Sequence, residues 1–113
     1  MTTIYHNPRC RKSRETLAIL EEKTEDITIV KYLETPPSVE ELTEIIKFLN
    51  ISPIDLVRKN ETVWKENYKG KEITNTELIS VLSKYPILIE RPIVVKDNKA
   101  IIGRPPQKVV DIL

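Results

Sequence analysis

Glycine is almost absent: the chain has two, Gly70 and Gly103, in 113 residues. A phosphate-binding loop needs paired glycines before Lys-Ser/Thr, and the dinucleotide fingerprint needs three close together, so both are excluded. No nucleophile-elbow motif occurs either. There is one cysteine, Cys10, and one histidine, His6. One cysteine cannot close an internal disulfide, and one of each cannot make a closed zinc site, so no metal is expected. Any chemistry at Cys10 requires a partner from outside the chain. Long apolar runs are also missing. The longest stretch without Asp, Glu, Lys or Arg is Met1 to Pro8, eight residues, against about 20 for a spanning helix. No apolar signal-peptide core follows Met1, so no membrane association and a cytoplasmic location are expected.

Hydrophobic residues at 40% and charged residues at 31% are ordinary for a folded soluble chain. The length predicts one domain over residues 1–113, expected to be a monomer. A net charge of +1 is too balanced to suggest nucleic-acid binding. The distribution is more informative. Residues 1–14 hold Arg9, Arg11, Lys12 and Arg14 with no acid, and Cys10 lies among them.

Thr2 to Tyr5 reads as a strand stopped by Asn7-Pro8. A helix is expected to start near Cys10 to Ser13 and to run to about Glu22. Ile27 to Val30 is a β-branched run, a second strand. Ser38-Val39-Glu40-Glu41 is a capping box, followed by Leu42, Ile45, Ile46 and Leu49 on one helical face. Residues 50–86 are expected to be mostly helical, with a break at Lys69-Gly70-Lys71 and a second capping box at Thr74 to Glu77. Ile93 to Val95 and Ala100 to Ile102 read as a hairpin turning at Lys96 to Lys99. Pro105-Pro106 can open a last helix. This order, β-α-β-α, helical insertion, β-β-α, predicts an α/β fold: a small mixed sheet flanked by helices, the plan of the thioredoxin-like fold.

On this reading Cys10 sits at the first helix's N-terminus, where unpaired N–H groups and the dipole favour a thiolate. The four nearby cations are expected to push the same way, making Cys10 a low-pKa nucleophile. Ser13 stands where a dithiol oxidoreductase has its second cysteine. Its hydroxyl can donate to the thiolate or to a bound oxyanion, or it can be a plain helix-start residue. His6 can support the thiolate when protonated, or can be a strand-end histidine without a role. A tyrosine-phosphatase loop is excluded, because the position six after the cysteine is Thr16. A thiolate that attacks an oxyanion needs fixed cations, and arginine suits this by its planar fork. Arg91 and Arg104 each precede a proline and border the hairpin at the same end, so the two are expected to converge.

The blocks His6-Asn7-Pro8-Arg9-Cys10-Arg11-Lys12-Ser13-Arg14-Glu15-Thr16, Leu56-Val57-Arg58-Lys59, Arg91-Pro92-Ile93-Val94 and Ile102-Gly103-Arg104-Pro105-Pro106 resemble those of the glutaredoxin-linked arsenate reductases. The resemblance runs from Thr2 to the C-terminus. It implies a thioredoxin-like fold with a helical insertion, and Cys10 as the nucleophile that forms a covalent arsenate ester. It gives Arg58, Arg91 and Arg104 the task of holding the anion, and His6 and Ser13 that of supporting the thiolate. Glutathione is implied as co-substrate and glutaredoxin as the protein partner, with no bound cofactor. By the same analogy the peptide before Pro92 is cis. The single cysteine agrees, since a one-cysteine enzyme must borrow its second reducing thiol. One departure is present: the best-characterised members carry small residues after the cysteine, and this chain has Arg11-Lys12.

Two other functions share this fold. One is a monothiol oxidoreductase acting on glutathionylated partners. The other is an Spx-type regulator that binds RNA polymerase without turnover; such regulators typically carry a Cys-x-x-Cys switch, which Ser13 breaks here.

Overall fold

The computed structural model describes residues 1–24 and 26–113, which fall into two compact units. The first comprises Met1–Thr35 and Arg91–Leu113; the second is Pro36–Glu90.

The first unit is built on strands β1 (Thr2–His6), β2 (Ile27–Lys31), β3 (Ile93–Lys96) and β4 (Lys99–Ile102), in the order β2-β1-β3-β4. β1 pairs parallel with β2 and antiparallel with β3, and β3 pairs antiparallel with β4. The parallel pair needs a crossover, which helix α1 (Arg11–Lys23) supplies. The expected hairpin closes on two residues only, Asp97 and Asn98, both with positive φ (49° and 61°). That is the type I′ geometry whose twist matches the flanking strands. The four strands and α1 match the sequence expectation to within a residue or two.

β1 is an inner strand, and its side chains alternate. Thr2, Ile4 and His6 are buried, while Thr3 and Tyr5 are partly exposed. Ile4 joins Leu20 of α1, Val94 of β3 and Val109 in the unit's core, with Leu17, Ile27 and Ile101 packed around them. The period of two therefore puts His6 on the same face as Ile4. The last helix opens at Pro106 as expected, but Pro106–Ile112 is wound as 3₁₀ rather than α.

The second unit holds α2 (Val39–Leu49), α3 (Thr62–Asn67) and α4 (Asn75–Lys84), with 3₁₀ turns at Pro53–Leu56 and Pro86–Leu88. It is the helical insertion, and it starts at Pro36 rather than near residue 50 because α2 packs against α4. Leu42, Ile45 and Ile46 of α2 and Leu78 and Leu82 of α4 are buried. The capping box at Ser38 is complete in both directions. At Thr74 only half forms: the Thr74 hydroxyl accepts from the Glu77 N–H but donates to the Glu77 carboxylate, which does not reach back to the backbone. The break at Gly70 has φ +78°, a conformation that glycine adopts without steric cost.

Candidate active site at the amino end of the first helix

The loop from β1 to α1 is folded by Asn7. Its carbonyl accepts from the Cys10 N–H at 3.0 Å, and its Oδ1 accepts from the Arg9 N–H at 3.0 Å. Its own N–H donates to Ser13 Oγ at 3.0 Å. An Asx side chain that bonds its own backbone two residues on makes a turn without secondary structure. The Asn-Pro pair marked this turn in the sequence, but the central part of Asn7 in shaping the loop was not foreseen.

Cys10 is the N-cap residue of α1, with φ −93° and ψ 122°. An N-cap side chain normally accepts from the second or third helical N–H. Here those are the N–H groups of Lys12 and Ser13; the sulfur makes no capping hydrogen bond, but both N–H groups favour its thiolate. Burial pushes the Cys10 thiol up, but the Ser13 N–H, the Arg91 guanidinium and the Lys12 N–H together hold it below its ordinary value. The pKa of the Cys10 thiol is thus lowered as expected, by a partly different cause. Arg9, Arg11, Lys12 and Arg14 are exposed. Arg11 is turned along the helix to Glu15, at 2.9 Å, and Arg14 donates to the Pro8 carbonyl. The cation that lowers the thiol's pKa is Arg91, from far along the chain.

Ser13 is fully buried. Its hydroxyl lies 2.6 Å from His6 Nδ1 and also accepts from Asn7. It is thus committed inward, and it is the Ser13 backbone, not the hydroxyl, that serves the sulfur. His6 lies under α1 because of the strand alternation that buries Ile4. Burial first, then Lys31 and Arg14, push its pKa below the ordinary 6.5. The imidazole is neutral near pH 7, so electrostatic support by a protonated His6 is not what this structure offers. His6 acts on the loop through Ser13.

Arg91 and Arg104 come together as the hairpin geometry implied. Ile93 pairs with Ile102 in the register, Gly103 N–H donates to the Pro92 carbonyl at 2.9 Å, and Arg104 Nε donates to the Arg91 carbonyl at 2.8 Å. The Arg91–Pro92 peptide is cis, as the resemblance implied, and Arg104–Pro105 is cis as well. A Cβ on Gly103 would meet Thr16 Oγ1 at 2.7 Å and Pro92 Cγ at 2.9 Å. Only glycine lets β4 leave the sheet so close to α1. Arg91 also meets Tyr32, a buried residue that sequence reasoning missed.

Arg58 belongs to the second unit. Its N–H donates to the Leu88 carbonyl, and its Nε lies 3.6 Å from Glu61. Its Nη1 is buried without a hydrogen bond among the described residues. No group of three or more His, Cys, Asp or Glu side chains poised for a metal ion occurs among the described residues. Among them, too, no helix is long and apolar enough to cross a membrane.

A four-stranded mixed sheet with a cysteine at the first helix's N-terminus and a cis-proline beside it defines a thioredoxin-like protein. The ArsC family model matches residues 5–112, and the chain belongs to that family. It is 45% identical to an arsenate reductase of Haemophilus influenzae, over 97% of both chains. It is equally identical to YfgD of Escherichia coli, over 97% of this chain and 94% of that one. The solved structure of an arsenate reductase from Vibrio cholerae superposes with a TM-score of 0.94, at 44% identity, over 99% of this chain and 97% of that one.

Proposed function

We propose that this chain is an arsenate reductase, with the Cys10 thiolate as its nucleophile. The observation that carries the proposal is Cys10 at the amino end of α1, its thiol held below its ordinary value by the Ser13 and Lys12 N–H groups and the Arg91 guanidinium. Relatives named arsenate reductases at 38 to 45% identity support the choice of substrate.

In this reading the thiolate attacks arsenic. An S–As bond forms, an As–O bond breaks, and the departing oxygen leaves as water with protons from the oxyanion and solvent. Arsenic is still As(V) at this stage. Repulsion between thiolate and oxyanion is the obstacle, and Arg91 and Arg104 offset it, Arg91 being the one that also favours the thiolate. A thiol at its ordinary pKa of about 8.5 is a few per cent thiolate at pH 7; lowering that value raises the reactive fraction. Reduction needs two electrons that a single cysteine cannot supply. Glutathione joins the arsenic, and glutaredoxin resolves the mixed species. Glutathione displaces a second oxygen, which leaves as water. The glutaredoxin thiolate then attacks the glutathione sulfur, and the glutathione S–As bond breaks with its electron pair going to arsenic. As(V) becomes As(III) as glutathione and glutaredoxin end as a mixed disulfide. Water hydrolyses the remaining Cys10 S–As(III) bond, releasing arsenite and restoring the Cys10 thiol. This assigns the protein to a reducing compartment, the cytoplasm.

The test is arsenate-dependent NADPH oxidation with glutathione, glutaredoxin and glutathione reductase supplied. The wild type should turn over, and Cys10→Ser should not, because a hydroxyl stays protonated near neutral pH. A folded wild type with an alkylatable Cys10 and no arsenate turnover overturns the proposal. Exchange with glutathione disulfide alone would then favour the monothiol oxidoreductase.

A further inference from the structure

Tyr32 is 1% exposed, yet it carries a polar hydroxyl. A buried phenol is expected to find a partner for that group. The sheet topology says which one. β1 lies between β2 and β3, parallel to the first and antiparallel to the second. The residue after β2 and the residues before β3 therefore emerge at the same end of the sheet, flanking the β1–α1 loop from its two sides. Tyr32 directly follows Lys31, which registers with His6, and Arg91 lies two residues before Ile93, which registers with Tyr5. Adjacent strands are about 4.8 Å apart, so two strand spacings separate the two backbones. A tyrosine and an arginine together span that distance, and Tyr32 favours the charged form of the Arg91 guanidinium.

We propose that Tyr32 is a positioning residue for Arg91, its hydroxyl accepting from the guanidinium so that the remaining N–H groups stay aimed at the Cys10 sulfur. Arg91 is then fixed at both ends of its side chain. At the backbone, Arg104 Nε holds its carbonyl at 2.8 Å and Gly103 holds Pro92. At the tip, Tyr32 and Cys10 both act on the guanidinium. Arginine's long side chain has several rotatable bonds, and a fork held in place loses less on binding an anion than one that must be ordered. Tyr32 itself does not act on Cys10; whatever it contributes passes through Arg91.

This inference rests on the thiolate reading of Cys10, so its test does not depend on arsenate turnover alone. Tyr32→Phe keeps the ring and removes only the hydroxyl. The thiol pKa, followed by alkylation rate against pH, should rise by about half a unit. The kcat/KM for arsenate should fall about tenfold, within the range a small misplacement costs. The Arg91 Nε–H proton, followed by NMR, should exchange faster with solvent. In an Arg91→Ala background the added Tyr32→Phe change should leave the thiol pKa where Arg91→Ala put it, because coupled residues are not additive. A wild-type thiol pKa and unchanged Arg91 exchange in Tyr32→Phe overturn the proposal. So does an equal pKa shift in both backgrounds, which would mean that Tyr32 acts without Arg91. If the wild type does not reduce arsenate, the substrate reading fails while the alkylation and exchange measurements still decide the role of Tyr32.

Discussion

Replacing Ser13 by alanine separates two ways in which this residue can serve the thiolate. The hydroxyl is fully buried, 2.6 Å from His6 Nδ1, and accepts from the Asn7 N–H at 3.0 Å. The Asn7 N–H needs an acceptor, and the neutral imidazole shares one proton with the hydroxyl at its Nδ1. Ser13→Ala leaves both buried groups without that partner. Each orphaned group costs about 1–3 kcal/mol, and alanine returns a few tenths through its better helix propensity. The net loss should be about 2–4 kcal/mol. At about 4 °C per kcal/mol for a chain of this length, the melting temperature should fall by roughly 8–16 °C. The thiol pKa should move by less than about 0.3 units, because the Ser13 N–H that acts on the sulfur is retained and a full unit corresponds to 1.36 kcal/mol. The assays are thermal unfolding by circular dichroism and alkylation rate against pH, on the same preparation. A thiol pKa raised by about a unit or more in a folded variant would refute the backbone route and return the hydroxyl to the sulfur. An unchanged melting temperature would refute the claim that the His6–Ser13–Asn7 bonds hold the loop.

Three other outcomes are expected. Gly103→Ala places a methyl 2.7 Å from Thr16 Oγ1 and 2.9 Å from the Pro92 ring. Thr16 is pinned by its bond to the Lys12 carbonyl, so the overpacking should cost about 1–3 kcal/mol in urea denaturation. His6 has a folded-state pKa depressed below 6.5 by burial, Lys31 and Arg14. The unfolded chain therefore takes up this proton first as the pH falls, so stability drops from pH 6.5 downward. Urea midpoints between pH 6.5 and about 5, above the carboxylate range, should fall in the wild type and lose this dependence in His6→Gln. Arg91→Lys keeps the charge but replaces a fork shared between Cys10 and Tyr32 by a point donor. The kcat/KM for arsenate should drop about tenfold or more, and recovery of wild-type activity would show that charge alone suffices.

Much of this was legible in the sequence, for local reasons. The strands announced themselves through β-branched runs. Asn7-Pro8 ended β1, and Ser38 with Glu41 opened α2. The convergence of Arg91 and Arg104 followed from hairpin geometry, since residues flanking paired strands leave at one end. What was not legible is long-range. Tyr32 reads as one more aromatic after a strand, and nothing local says that it is buried and acts on an arginine 59 positions later. The commitment of Ser13 to His6 was also hidden. It depends on the alternation that buries His6 beside Ile4 and on the loop drawn in by Asn7. The charge argument misled for the same reason. Four cations close in sequence lie at the surface, where water and salt screen them, while the one that lowers the thiol's pKa arrives through the fold.

The same distinction resolves the departure at Arg11-Lys12. Two long cations directly after the cysteine look at first like an obstruction. In this structure the second position after the cysteine contributes through its backbone. The Lys12 N–H acts on the sulfur, and any residue other than proline supplies that donor at the same place. The Arg11 side chain is 85% exposed and runs along the helix to Glu15, one turn towards the carboxyl end. An i,i+4 pair of this kind stabilises the helix by a few tenths of a kcal/mol and keeps the guanidinium away from the amino end. Large side chains are thus compatible with the thiolate, because only the Lys12 N–H is used there and both side chains lie in water. Arg11→Ala with Lys12→Ala should accordingly leave the thiol pKa within about 0.3 units of wild type at moderate salt, read by alkylation. A shift of a unit would mean that the exposed cations reach the sulfur after all.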